Sequence, residues 1–179
     1  MVEGAGDRNA APVLLRKHME SLGVFADMLG KAIPAHGRDK ALVDGGLEKF
    51  VAAAAARPGC VGVFVLLDGE GDCVAQLGVD LARRAASATG KPVVIALADG
   101  DFEDWIYASA ETLELDLTYE ETMSGQTSIK GALHPSKYVK PTWQPRLTSR
   151  MDLDVARGRS PSLDRALLRF EALLMLVLP

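Results

Sequence analysis

The chain has 179 residues, 48% of them hydrophobic and 25% charged, with a net charge of −4. That composition excludes a disordered tail, a collagen-like repeat and a coiled-coil rod as the main state, and the length suits one domain with its own core. A uniformly basic coat for nucleic acid is excluded as well. The average hides a split, however: residues 1–127 carry 11 Lys/Arg against 20 Asp/Glu, and residues 128–179 carry 9 against 4. An acidic body with a basic C-terminal part bears on partners rather than on fold. Cys60 and Cys73 are too few for a disulfide framework and flank an apolar run, where buried thiols are common. The opening Met-Val-Glu-Gly lacks the order of a secretory signal. The apolar run Val61–Leu67 is too short to span a bilayer. A cytoplasmic, bacterial-type protein with no membrane partner is the expectation.

In chain order, periodicity predicts a helix over 10–22 and a short strand over 28–35 that ends near Pro34. The alanine-rich stretch 40–57 predicts a helix stopped by Pro58-Gly59. Val61–Leu67 is apolar without alternation, as a strand buried on both faces is, and it ends in Asp68. A helix over 74–88, a second buried strand over 93–98 and a helix over 102–113 follow. Strand–helix alternation of this kind predicts an α/β fold with a mainly parallel sheet flanked by helices. Residues 1–117 form the expected core. Residues 118–147 are polar and proline-rich and predict a long irregular segment. Ser160-Pro161 reads as a helix start, with Ser160 as cap, and a closing helix runs over 163–178. The whole stretch 118–179 is then a basic segment with C-terminal helices packed on the core.

The carboxylates carry the chemistry. Asp68-Gly69-Glu70-Gly71-Asp72 sets three acids at alternate positions directly after a buried strand, with glycines that let the backbone turn tightly. Oxygen-rich clusters suit Mg²⁺ or Mn²⁺. A merely acidic surface turn is the competing reading, and a calcium loop lacks the later ligands of an EF-hand. Glu3-Gly4-Ala5-Gly6-Asp7 is a second acidic turn before a helix. A phosphate at that helix start would be repelled by the acids unless a cation intervened. Asp101, Glu103 and Asp104 form a third group, which also fits ordinary placement of acids in a first helical turn. Parallel strands bring their carboxyl ends to one edge, so the three groups are expected to converge.

These motifs resemble the TOPRIM fold shared by topoisomerases, bacterial primases and the overcoming-lysogenization-defect (OLD) nucleases. The pieces are Val2-Glu3-Gly4 with Asp7, the apolar strand ending in Asp68-x-Glu70-x-Asp72, Phe102-Glu103-Asp104-Trp105, Gln144-Pro145-Arg146-Leu147-Thr148, and Met151-Asp152-Leu153 through Ser160-Pro161-Ser162. In order and spacing they look like a small bacterial TOPRIM-like family of the OLD type, catalogued as a domain of unknown function. The resemblance covers most of the chain. It implies a Rossmann-like core and two-metal phosphodiester cleavage with Mg²⁺ or Mn²⁺. Glu3 matches a general base or metal ligand, Asp68 and Glu70 the paired metal-holding acids, and Asp7, Asp72 and Glu103 further ligands. Lys130 matches a lysine that stabilises the transition state. Two departures stand out. Glu70 replaces an aspartate, and only Met1 and Val2 remain of a first strand that usually has several more apolar residues. A shortened central strand is expected to destabilise the sheet and misplace Glu3.

The basic part offers Lys137, Lys140, Arg146 and Arg150, together with Arg38 from the polar turn after Pro34, as contacts to DNA or RNA, with Tyr138 and Trp143 for stacking. Ion pairing with the acidic body is the alternative use of the same charges. His18 reads as structural, His134 has no second histidine at ligand spacing, and Trp105 reads as core. No Walker-type motif occurs, so an ATPase, which the resemblance implies as a partner in phage defence, is expected on another chain. The resemblance leaves room for a homodimer. Two other readings stay open: a non-catalytic regulatory module on the same fold, and a phosphotransferase using Asp68 as nucleophile.

Overall fold

The computed structural model describes residues 1–176, so the expected end of the closing helix at Leu178 lies outside the described residues. At its centre β1 (Val63–Asp68) and β2 (Val93–Ala98) run parallel, in register from Val63 opposite Val93 to Asp68 opposite Ala98. Val63, Val65 and Leu67, with Ile95 and Leu97, join one core with Leu47, Val51, Leu81 and Ala85. Leu66, Ala96 and Ala98 belong to the other core, with Leu14, Phe102, Trp105, Ile106 and Phe170. Burial on both faces is why neither strand alternates. The fold is mixed α/β, a small parallel sheet flanked by helices.

Met1 and Val2 add a third position to the sheet. Val2 forms parallel bridges to Leu66 on one side and to Pro34 on the other. Its N–H donates to Ile33 O (2.9 Å), and the Leu66 N–H donates to Met1 O (3.0 Å). The strand expected over 28–35 is therefore reduced to one bridge at Pro34. The short first strand does not strand Glu3 elsewhere, because pairing on both sides fixes the residue just before it.

Nine helices are found among the described residues: α1 (Ala5–Ser21), α2 (Arg38–Leu42), α3 (Gly46–Ala55), α4 (Val74–Ala88), α5 (Phe102–Tyr107), α6 (Gly125–Ala132), α7 (Lys140–Arg150), α8 (Leu153–Arg159) and α9 (Pro161–Met175). α1 starts earlier than its apolar pattern because the Asp7 carboxylate accepts the Gly4 N–H at 2.8 Å and closes the first turn. The helix expected over 40–57 is divided into α2 and α3 by Gly45, whose φ of +74° suits glycine. The helix expected over 102–113 ends at Tyr107 and is followed by a 3-10 turn, Ala110–Thr112. Ser160 caps α9, its Oγ accepting from the Leu163 N–H at 3.4 Å. Trp105 is buried, and its indole N–H donates to Ser162 Oγ at 2.9 Å. Cys60 is half-buried and Cys73 exposed, so the apolar run between them does not bury both thiols. Among the described residues no helix is long and apolar enough to cross a membrane.

The segment 118–147 is not irregular throughout, since it contains α6 and the start of α7. Pro141 sits in the first turn of α7, where a missing N–H costs nothing. The buried face of α7 is Gln144, Leu147 and Thr148, two of the three polar, so no apolar period marks it. α7 lies against α1, and Gly6 is what admits it. A Cβ on Gly6 would fall 1.8 Å from Gln144 Oε1 and 3.0 Å from Lys140 Cβ.

Gly6→Ala is therefore expected to displace the buried Gln144 side chain from Asp7 and crowd Lys140, and to destabilise the protein by about 1–3 kcal/mol. Gly131→Ala on α6, where a Cβ meets open space, is expected to be neutral or slightly stabilising. Thermal melts of both variants against wild type check the contrast, and equal melting temperatures would refute the close-packing account.

Candidate functional site

The carboxyl end of the sheet gathers acids. Asp68 ends β1 and is 6% exposed. Its N–H donates to Glu3 Oε2 at 3.1 Å, which holds the first acidic turn against the second. Asp7, buried in the first turn of α1, accepts from Gly4 through one oxygen and from Gln144 Nε2 at 3.4 Å through the other. Asp101 and Asp104 cap α5 reciprocally: the Asp104 N–H donates to Asp101 Oδ1 at 3.2 Å and the Asp101 N–H to Asp104 Oδ2 at 3.1 Å. Glu103, between them in the chain, is fully buried. It accepts from Tyr138 OH at 2.8 Å and from Lys140 Nζ at 3.2 Å.

Burial and like charge raise these acids together. Burial, then Glu3 and Asp7, push the Asp68 carboxyl up to about 8. Burial, then Asp104 and Glu103, push Asp101 up to about 6. Burial raises Glu3 and Asp7 as well. The ammonium that faces Asp68, Asp101 and Glu103 is Lys140. Burial pulls its pKa down, but Glu103 beside it, then Asp68 and Asp101, hold it above the ordinary range. Burial and Glu103 keep the Tyr138 hydroxyl protonated.

The remaining sequence candidates make their side-chain contacts outside this group, although the charge of Glu70 still reaches Glu3. Glu70 and Asp72 are exposed, and both pair with Arg38. Arg38 in turn donates to Asp68 O (3.0 Å) and Gly69 O (3.2 Å), so it braces the turn after β1. Gly69 makes that turn possible: its N–H donates to Ala98 O at 2.8 Å, and a Cβ there would lie 2.5 Å from the same oxygen. Lys130 is exposed on α6 and bonds Gln126, so the lysine brought to the acids is Lys140. Arg150 is tied to Leu113 O and Glu114. Lys137 and Arg146 are exposed; Arg146 lies 5.7 Å over the Trp143 ring, and the Trp143 indole N–H donates to Lys137 O. Tyr138 and Gln144 join the site without any signal of a polar role in the sequence beyond Gln144's place in a motif.

The donor set fits a hard divalent cation in its chemistry. It is all oxygen, and among the described residues no donor reaches the Asp68 carboxylate, which sits beside two further acids. The spacing is not that of a closed site: among the described residues no group of three or more His, Cys, Asp or Glu side chains stands ready to hold a metal ion. A cavity of about 400 Å³ lies away from the acids, at the amino end of β1, lined by Leu15, Met28, Ile33, Phe64 and Phe170. No model of a known protein family matches the chain, and neither curated proteins nor solved structures give a significant match.

Asp68 couples stability to pH. Its folded pKa of about 8 exceeds the ordinary 3.8, so between those values the folded protein keeps a proton that the unfolded chain has lost. That contribution is complete below the unfolded pKa and disappears as pH rises through the folded one. In metal-free buffer Asp68→Asn is expected to flatten the fall in melting temperature from about pH 5 to about pH 9 and to be the more stable protein at the upper end, by about 2–4 °C for each kcal/mol gained. Parallel pH profiles for the two proteins would refute the buried, uncompensated acid.

Proposed function

We propose that the chain is a Mg²⁺- or Mn²⁺-dependent nuclease of the TOPRIM/OLD type that cleaves phosphodiester bonds in DNA or RNA. The observation that carries this reading is Asp68, a buried carboxylate at the end of the central strand, beside Glu3 and Asp7 and without a donor among the described residues. Perturbed acids at the carboxyl edge of a parallel sheet are the physical mark of a reactive site. Glu3, Asp7 and Asp68 would hold the ion. When bound, it would supply an activated water and stabilise the leaving oxygen. The chain's own residues set the ground for that chemistry. The Asp68 N–H orients Glu3, Gln144 orients Asp7, and Lys140 offsets the surplus negative charge. Exposed Lys137 and Arg146, with Trp143 between them in sequence, would meet phosphate and base. By the same resemblance we extend the proposal to a cytoplasmic role in phage defence beside a separately encoded ATPase, with the chain as a homodimer.

Nicking of supercoiled plasmid, and cleavage of a single-stranded RNA, are expected in millimolar Mg²⁺ or Mn²⁺. Asp68→Ala and Glu3→Ala are expected to fall to background, while Lys130→Ala, whose exposed ammonium bonds Gln126, is expected to retain activity. Cleavage that survives Asp68→Ala would sink the site assignment.

A second reading, a non-catalytic binding or regulatory module on the same fold, draws on one observation. Glu70 and Asp72 are taken up by Arg38, and Glu103 by Tyr138 and Lys140. Calorimetry separates the two: Mn²⁺ binding that Asp68→Asn abolishes favours the enzyme, and no binding at millimolar metal favours the module.

A further inference from the structure

Lys140 holds a position that no sequence motif assigns. Its Nζ lies 3.2 Å from Glu103 Oε1 and 3.2 Å from Oε2, so the ammonium straddles the carboxylate. Glu103 is fully buried, and Tyr138 OH completes its set of donors. Around the same ammonium stand Asp68, Asp101 and Asp7. Among the described residues Lys140 is thus the cation whose charge acts on the Asp7, Asp68 and Asp101 carboxyls, and it is a compact point charge on a flexible stem, not a planar fork. The Lys140 side chain is 41% exposed although Glu103 is not exposed at all. It opens α7, directly after a connector whose residues 134–137 and 139 are exposed. The ammonium can therefore leave along its own stem while Gln144, one turn later, keeps α7 attached to Asp7.

We propose that Lys140 is a built-in counter-ion that a divalent cation displaces. Without metal the ammonium neutralises Glu103 and keeps the acids together. When an ion enters beside Asp68, like-charge repulsion and the ion's claim on the same acids move the ammonium outward, into the solvent that already reaches its side chain. The inference rests on the metal reading above and adds to it a competition between two cations for one acidic cluster. The exchange is reciprocal: whatever Lys140 contributes to holding the metal-free cluster, the metal must overcome to bind.

Two measurements test it on the full chain. In the first, wild-type protein is acylated with acetic anhydride with and without Mn²⁺, and modification of Lys140 and Lys130 is read by peptide mass spectrometry. Mn²⁺ is expected to raise the labelling of Lys140 severalfold and to leave Lys130, exposed throughout, unchanged. In the second, Mn²⁺ affinity is measured by calorimetry for wild type, Lys140→Met and Lys140→Arg. Lys140→Met is expected to bind Mn²⁺ about tenfold more tightly. Lys140→Arg, whose fork grips Glu103 through two bonds, is expected to bind it more weakly than wild type, a result that charge alone does not produce. Mn²⁺ binding to wild type with Lys140 labelling unchanged, or with equal affinities for all three proteins, would overturn the counter-ion role and leave the metal site standing. No Mn²⁺ binding to wild type or to Lys140→Met would overturn the metal reading itself, and this inference with it. The labelling arm needs no variant, so a misfolded Lys140→Met still leaves a decision.

Discussion

Gly6 has no side chain, and α7 occupies the space where one would be. A Cβ at that position would overlap Gln144 Oε1 at 1.8 Å and press on Lys140 at 3.0 Å. This approach ties the C-terminal third of the chain to the N-terminal turn. It sets Gln144 against Asp7, Lys140 against Glu103, and thereby a cation within reach of Asp68. The contact has a cost. Gln144 Oε1 is buried with no hydrogen-bond partner among the described residues, and leaving such an acceptor unpaired costs about 1–3 kcal/mol. Leu147, on the same face, and the larger core it belongs to offset that cost by burial.

The elements that could be read in the sequence are those whose burial is apolar and regular. β1, β2 and α4 needed nothing but hydrophobic pattern and punctuation, because the sheet is covered on both faces and Gly90-Lys91-Pro92 closes the helix. What could not be read depends on polar burial or on backbone geometry. α7 hides because Gln144 and Thr148 line its packed face, and α1 begins at Ala5 because Asp7 bonds back to Gly4. The division of the alanine-rich helix at Gly45 is a left-handed turn, invisible to a periodicity that runs on through it.

The candidate site was legible in outline for the same reason. Acids that follow strands must arrive at the carboxyl edge, which predicts Glu3, Asp68 and Glu103 in one neighbourhood from topology alone. Topology does not say which acids of a run turn inward. Of the three acids in Asp68-Gly69-Glu70-Gly71-Asp72 only Asp68 is buried. Glu70, at φ +48°, and Asp72 turn to Arg38. Nor does spacing separate two lysines ten residues apart, of which Lys130 faces solvent and Lys140 the acids.

The charge split along the chain takes on a different meaning from this arrangement. Most of the basic C-terminal part is spent inside the molecule. Arg157 pairs with Asp164 and Glu171, Arg159 with Glu111, Arg165 with Asp99, Arg150 with Glu114, and Arg169 donates to Ile95 O. These exposed or half-exposed pairs contribute little each to stability, but among the described residues they leave Lys137 and Arg146, which flank Trp143, outside any ion pair with a carboxylate. On the proposed nuclease reading, whatever held a polyanion at the acids would come largely from cations bound there, which would put the weight of substrate binding on the same carboxylates that the fold has buried at a cost.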